Sequence, residues 1–193
     1  MIYLVRHGQT ESNLARHYQG ALDSPLTPLG QAQARRMGEL LNRLVPDATG
    51  WRMVVSPLGR ARQTAAIIGE AMGGTLDPSF DPRVAEASMG SWDGLSIDEL
   101  AARRPPDVPY PERYFQAPDG ERFEGIWGRL SDWLDSIGED ERVIVVSHGL
   151  AGRYLRGIYG KLPREEMLSL PVPQDAIYRL ENGAITQIDC EPA

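Results

Sequence analysis

Apolar residues fall into a few short unbroken runs and several longer stretches with helical spacing, and the two kinds alternate along the chain. Ile2-Tyr3-Leu4-Val5 is a run of strand formers with no polar position, the pattern of a strand covered on both faces. From Thr27-Pro28, where threonine can cap and proline fits the first helical position, Leu29, Ala32, Met37, Leu40, Leu41 and Leu44 predict an amphipathic helix that stops before Pro46. Met53-Val54-Val55 reads as a second strand. Ser56-Pro57 repeats the cap-plus-proline signal and predicts a helix from about Leu58 to Met72, ahead of Gly73-Gly74. Residues 76–95 read as short extended pieces and turns, and Ile97 to Arg103 as one short helix. Pro105, Pro106, Pro109 and Pro111 make the next stretch a loop, either a lid or a plain surface excursion. Phe123, Ile126, Trp127, Leu130, Trp133, Leu134 and Ile137 then predict a helix over roughly 121–138, in which the tryptophans belong to the packing stripe. Val143 to Val146 is a strand, followed by a helix from Gly149 to about Tyr159. Asn182-Gly183 between two apolar runs predicts a terminal hairpin.

Strands alternating with helices imply an α/β three-layer sandwich, a mostly parallel central sheet with helices on both faces. No internal repeat, low-complexity tract or linker interrupts the chain, so residues 1–193 are expected to form one domain.

Charge narrows the partners. The chain carries 27 acidic against 20 basic residues, a formal net charge of -7. That argues against bulk attraction to nucleic acid or to an anionic membrane, so an anionic ligand needs a local basic pocket. Lys161 is the only lysine, and its surroundings, Tyr159-Gly160-Lys161-Leu162, do not fit a Walker-type phosphate loop. Cys190 is the only cysteine; it cannot form an internal disulfide and lies too near the end to head a cysteine-based phosphate loop. No apolar run approaches the ~18 residues of a membrane helix, and the expectation is a soluble cytoplasmic protein.

Candidate chemistry sits at the ends of the predicted strands. Arg6-His7 follow the first strand, Arg60 lies in the first turn of the helix after the second, and His148 follows Val143–Ser147. In an open parallel sheet ligands bind at the carboxyl ends of the strands. If the three strands are neighbours, two guanidiniums and two imidazoles converge there, with the backbone amides of the helix starting at Gly149 beside them. Arginine forks match phosphate oxygens, so such a pocket suits a tetrahedral dianion. Taken singly, His7 reads as a structural histidine, Arg60 as a solvated helix residue and His148 as a cap. Their joint placement favours a pocket. His17 has no such placement and reads as a surface or loop residue.

Longer blocks surround these residues. Leu4-Val5-Arg6-His7-Gly8-Gln9-Thr10 with Asn13 is the first, and Gly20-Ala21-Leu22-Asp23-Ser24-Pro25-Leu26-Thr27, with Gly30 and Gln33-Ala34, the second. Ser56-Pro57-Leu58-Gly59-Arg60-Ala61-Arg62-Gln63-Thr64-Ala65, then Glu86 with Gly90-Ser91-Trp92-Asp93-Gly94, then Val146-Ser147-His148-Gly149 complete the series. In kind and order they resemble the motifs of the histidine phosphatase superfamily, the phosphoglycerate-mutase-like fold. The resemblance implies a two-step phosphoryl transfer through a phosphohistidine on His7, needing no metal and no cofactor. It also implies that Arg6, Arg60 and His148 stabilise the transferring group. Glu86 would protonate the leaving oxygen and then activate water. For that first task it must be protonated, which calls for a partly desolvated, anion-flanked site. Asn13, Gln19, Gly20 and Gly149 would contact phosphate or substrate.

The resemblance leaves a phosphatase and a mutase as the main readings, with a non-catalytic phosphate-binding domain as a third. A compact chain with an acidic tail favours a phosphatase of small phosphorylated metabolites. Arg122, where many family phosphatases have a serine, either reads a second anionic group or is a surface residue at a helix start. Met89 stands where leucine or phenylalanine is usual, a volume-conserving exchange.

Overall fold

The computed structural model describes residues 1–74, 76–103, 107–108 and 112–191. Strands β1 (Ile2–Arg6), β2 (Trp51–Val55), β3 (Pro78–Phe80), β4 (Arg142–Ser147), β5 (Ala176–Glu181) and β6 (Ala184–Asp189) form one sheet in the order β3-β2-β4-β1-β5-β6. The first four in that order run parallel, and β5 and β6 join antiparallel at the far edge. The α-helices are α1 (Glu11–Leu14), α2 (Pro28–Leu44), α3 (Gly59–Ala71), α4 (Ile97–Arg103), α5 (Phe123–Asp135), α6 (Gly149–Tyr159) and α7 (Arg164–Ser169), and short 3₁₀ turns lie at Pro82–Val84, Gly90–Trp92 and Glu112–Phe115.

Strand periodicity divides the core in two. Leu4, Val54, Val143 and Val145 point to one face, where Ile126, Leu130 and Trp133 of α5 and Tyr154 and Leu155 of α6 cover them. Tyr3, Val5, Met53, Val55, Ile144 and Val146 point to the other, beneath Met37 and Leu41 of α2 and Ala65 and Ile68 of α3. Both faces are dry, which is why these strands read as unbroken apolar runs. The expected three-layer α/β sandwich is the observed one.

Register sets up the chemistry. Arg6 lies opposite Ser147 and Val55 opposite Val146, so β1, β2 and β4 end level with one another. The pairing continues one residue further on each side, with His7 N–H donating to the Ser147 carbonyl and Ser56 N–H to the Val146 carbonyl, both at 3.0 Å. Residues 7, 56 and 148 therefore emerge side by side at the carboxyl end of the sheet.

Several local expectations need correction. Ser56 does not cap α3: Asp23, far upstream, accepts from Gly59 N–H at 2.5 Å and Arg60 N–H at 3.2 Å. The helix expected over 121–138 is shorter, Phe123–Asp135, with Arg122 as its N-cap. Two helices carried too little pattern to be seen. The four residues of α1 are fixed by a reciprocal capping box between Thr10 and Asn13, and α7 buries only Met167 and Leu168. The loop expected around Pro105, Pro106, Pro109 and Pro111 lies outside the described residues. The terminal hairpin forms as expected, with Asn182 and Gly183 both at positive φ (50° and 76°), as a two-residue turn between twisted strands requires. Among the described residues no helix is long and apolar enough to cross a membrane.

Candidate active site

His7 stands at the end of β1, and only 2% of it is exposed. Its Nδ1 lies 2.8 Å from the Gly8 carbonyl oxygen. A carbonyl can only accept, so Nδ1 carries the proton and Nε2 keeps its lone pair. Burial, then the charges of Arg6 and Arg60, hold this imidazole well below its usual titration range. The peptide after it must be glycine: a Cβ on Gly8 would sit 2.2 Å from the Gly30 carbonyl oxygen, because the loop leaving β1 rests directly on the first turn of α2.

His148 is also buried, its ring 5.1 Å from that of His7 and tilted by 59°. Its Nε2 meets the Ser56 hydroxyl at 2.7 Å, while Nδ1 is buried with no protein partner. Burial followed by Arg60, His7 and Arg6 keeps it well below the usual range as well.

The arginines are held by backbone. Arg60 donates from Nη1 to the Leu22 carbonyl (2.6 Å) and to Asp23 Oδ1 (3.2 Å), and from Nη2 to the Gly20 carbonyl (2.8 Å). Arg6 donates from Nη1 to the Val172 carbonyl. The Nε of each is buried and unpartnered. A buried donor left open is costly unless a ligand satisfies it, so two open guanidinium N–H groups beside His7 suit an anion. Burial lowers the proton affinity of both guanidiniums, and the charge of Glu86 opposes that shift.

Glu86 is half-buried and caps α6. Its Oε2 accepts from Leu150 N–H at 3.1 Å, and its Oε1 from Ala151 N–H at 3.0 Å. The expected anion-flanked environment is not what the protein itself supplies, since its groups around this carboxylate are amides and guanidiniums. Gly20, at φ +52°, turns its carbonyl to Arg60, and a Cβ there would lie 1.6 Å from Asp93 Oδ1. Asp93 in turn accepts from Ala21 N–H and Met89 N–H, at 3.0 and 2.7 Å, tying the Gly20 loop to the segment that carries Glu86.

Arg6, His7, Asn13, Gln19, Gly20, Arg60, Glu86 and Gly149 all line one cleft of about 250 Å³. His148 sits just behind it, lining an adjoining void with Arg6 and Gly149. Apart from Arg122, the candidates named from the sequence are thus brought to one place. Gln19 Oε1 is buried without a partner, an acceptor available to a ligand hydroxyl or protonated oxygen.

One residue departs from expectation, and for another the structure favours one of two readings. His17 is exposed, but it forms part of the cleft wall, with Nδ1 2.9 Å from the Gly94 carbonyl oxygen. Arg122 does not line the cleft: its guanidinium donates to the carbonyls of Phe115 (2.6 Å) and Pro118 (3.0 Å), which supports the surface reading. The sequence reading also missed cleft residues. Arg16, at φ +60°, and Arg153, whose Nε donates to the Leu170 carbonyl at 2.7 Å, both contribute to the wall. For Arg153 there was a signal, a charged residue in an otherwise apolar stretch one turn after Gly149. Among the described residues no group of three or more His, Cys, Asp or Glu side chains is placed to hold a metal ion.

Two histidines and two arginines at the carboxyl ends of parallel strands define an α/β domain organised around an anion pocket. The sequence profile of the histidine phosphatase superfamily (branch 1) matches residues 2–186, and the chain belongs to that superfamily of phosphatases and mutases. It is 35% identical to the probable phosphoglycerate mutase GpmB of Erwinia tasmaniensis, over 97% of this chain and 84% of that protein. Among solved structures it resembles Bacillus stearothermophilus YhfR, with TM-score 0.76 and 29% identity over 97% of this chain and 95% of the other. It also resembles a mycobacterial glucosyl-3-phosphoglycerate phosphatase solved with VO3, with TM-score 0.72 and 27% identity over 97% and 96% of the two chains.

Proposed function

We propose that this protein is a phosphatase of small phosphomonoesters that works through a phosphohistidine on His7. The carrying observation is the His7 imidazole itself, buried, neutral and tautomerically fixed, with its free Nε2 in a cleft walled by Arg6 and Arg60. In the first step Nε2 attacks phosphorus, the bond to the ester oxygen breaks, and Glu86 gives that oxygen a proton. In the second step Glu86 takes a proton from water, whose oxygen attacks phosphorus and releases His7 and inorganic phosphate. Arg6, Arg60 and His148 stabilise charge on the equatorial oxygens.

Hydrolysis over mutation is favoured by the mouth of the cleft, where Arg16 and His17 are solvent-exposed. A mutase must instead exclude water while its intermediate turns over. The mutase reading has one observation of its own: Arg16 and Arg153 add guanidiniums on the cleft wall, which a second anionic group could use.

Trapping tests the scheme. Rapid quenching without acid, after mixing with labelled substrate, should yield an acid-labile, base-stable phosphoramidate on His7, and His7→Ala should lose activity by several orders of magnitude. Near-normal turnover by His7→Ala would end the proposal.

A further inference from the structure

The segment from Leu170 to Gln174, between α7 and β5, is strapped across the site by arginines. Three consecutive carbonyls accept from three different guanidiniums: Leu170 from Arg153 Nε (2.7 Å), Pro171 from Arg156 Nη2 (2.6 Å) and Val172 from Arg6 Nη1. The strap ends in Gln174, whose Nε2 lies 3.0 Å from Asn13 Oδ1 and 3.3 Å from the His7 carbonyl oxygen.

Backbone groups decide which end of each amide is which. The His7 carbonyl can only accept, so the Gln174 atom facing it is nitrogen. Thr10 N–H can only donate, and it lies 3.2 Å from the Asn13 side chain, so the Asn13 atom facing it is oxygen. Asn13 Oδ1 therefore accepts from Thr10 on one side and from Gln174 on the other. That leaves Asn13 Nδ2, a donor, for the cleft that Asn13 lines with Arg6 and His7.

We propose that Gln174 is a positioning residue that locks the Asn13 carboxamide with its NH2 end toward the phosphate position. This rests on the phosphoryl-transfer reading of the site. The two ends of a carboxamide are nearly alike in shape but opposite in function. Flipped, Asn13 would turn an oxygen toward an anion. The Thr10 contact is made from within a four-residue helix, and Gln174 supplies the second, distant hold.

The test combines Gln174→Met and Gln174→Glu with Asn13→Ala, each assayed with p-nitrophenyl phosphate and with inorganic phosphate as inhibitor. Gln174→Met should lower kcat/KM about tenfold, the effect of roughly one hydrogen bond, with most of the change in KM and in phosphate inhibition. In the Asn13→Ala background the same substitution should cost less than about twofold, because its effect runs through Asn13. Gln174→Glu is closest in shape, yet it faces both Asn13 Oδ1 and the His7 carbonyl with acceptors, so it should cost more than Gln174→Met. Equal losses in both backgrounds, or a milder effect of glutamate than of methionine, would overturn the proposal. A second arm is independent of turnover and of the hydrolase reading. In nitrogen-15 spectra, inorganic phosphate should shift the Asn13 side-chain NH2 pair of the wild type and shift it far less in Gln174→Met. Gln174→Glu takes its place if the methionine variant does not fold. Equal shifts in wild type and variant, or a wild-type Asn13 NH2 pair that ignores phosphate, would refute it even if no phosphomonoester is hydrolysed.

Discussion

Keeping His7 and His148 neutral has a consequence for stability. Both are buried beside guanidiniums and titrate well below the ordinary 6.5, whereas in the unfolded chain they take up protons near that value. The unfolded state thus binds more protons over the interval below pH 6.5, and stability must fall as pH drops through it. The contribution is complete above pH 6.5 and is lost progressively toward the depressed folded-state values. Thermal midpoints measured across this range should decline more steeply for the wild type than for a His7→Asn, His148→Asn double variant. Parallel curves would mean that the two imidazoles titrate alike in both states. Glu86 gives a different kind of prediction. If it protonates the departing oxygen, Glu86→Gln should slow the phosphorylation of His7 by an alkyl phosphate about 10²–10⁴-fold in single-turnover measurements while largely sparing phosphorylation by an aryl phosphate, whose phenolate leaves without help. Equal losses on both substrates would reduce Glu86 to its other visible task, capping α6.

Helix α3 shows how an element and a pocket residue share one support. Asp23 caps its first two amides and also pairs with Arg60 Nη1 at 3.2 Å. Asp23→Ala should cost about 1 kcal/mol of stability, as a lost N-cap does, and should also weaken inhibition by inorganic phosphate because Arg60 loses an anchor. Asp23→Asn should retain part of both. Unchanged phosphate inhibition in the alanine variant would confine Asp23 to capping. This support was not legible in the sequence. The strand ends were, because buried parallel strands leave unbroken apolar runs, and a basic residue at such an end needs no partner to be noticed. Helix starts signalled by Thr27-Pro28 were equally legible, since threonine caps its own helix through Gly30 N–H at 3.0 Å. Ser56-Pro57 carried the same signal and located α3, although its serine turns to His148 and the cap comes from a loop 36 residues away. The strap of carbonyls from Leu170 to Val172 and the place of His17 on the cleft wall were hidden for the same reason. They depend on tertiary hydrogen bonds between distant residues, which leave no periodicity behind.

In the sequence, Arg122 is either a contact for a second anionic group or a surface residue at a helix start. Arg122 is occupied with the Phe115 and Pro118 carbonyls, while Arg16 and Arg153 stand on the cleft wall. A second anionic group thus has partners, and a substrate that carries one should be preferred. Binding a second anion is only half of a mutase, however. The phosphohistidine must also be kept from water while the bisphosphorylated intermediate reorients, and on the proposed reading the exposed Arg16 and His17 belong to a mouth that admits water. The expected result is that phosphate release outpaces isomerisation when 3-phosphoglycerate is supplied with 2,3-bisphosphoglycerate as primer. An Arg16→Ala, Arg153→Met double variant should then raise KM for 3-phosphoglycerate while leaving KM for p-nitrophenyl phosphate, which has no second anion, nearly unchanged. Methionine preserves the apolar stem of Arg153 within α6 but gives up its bond to the Leu170 carbonyl, so an unchanged KM for p-nitrophenyl phosphate is what separates lost charge from a loosened strap. Primer-dependent isomerisation faster than hydrolysis of every tested monoester would make the mutase reading correct. It would also require the water in that mouth to be expelled on substrate binding.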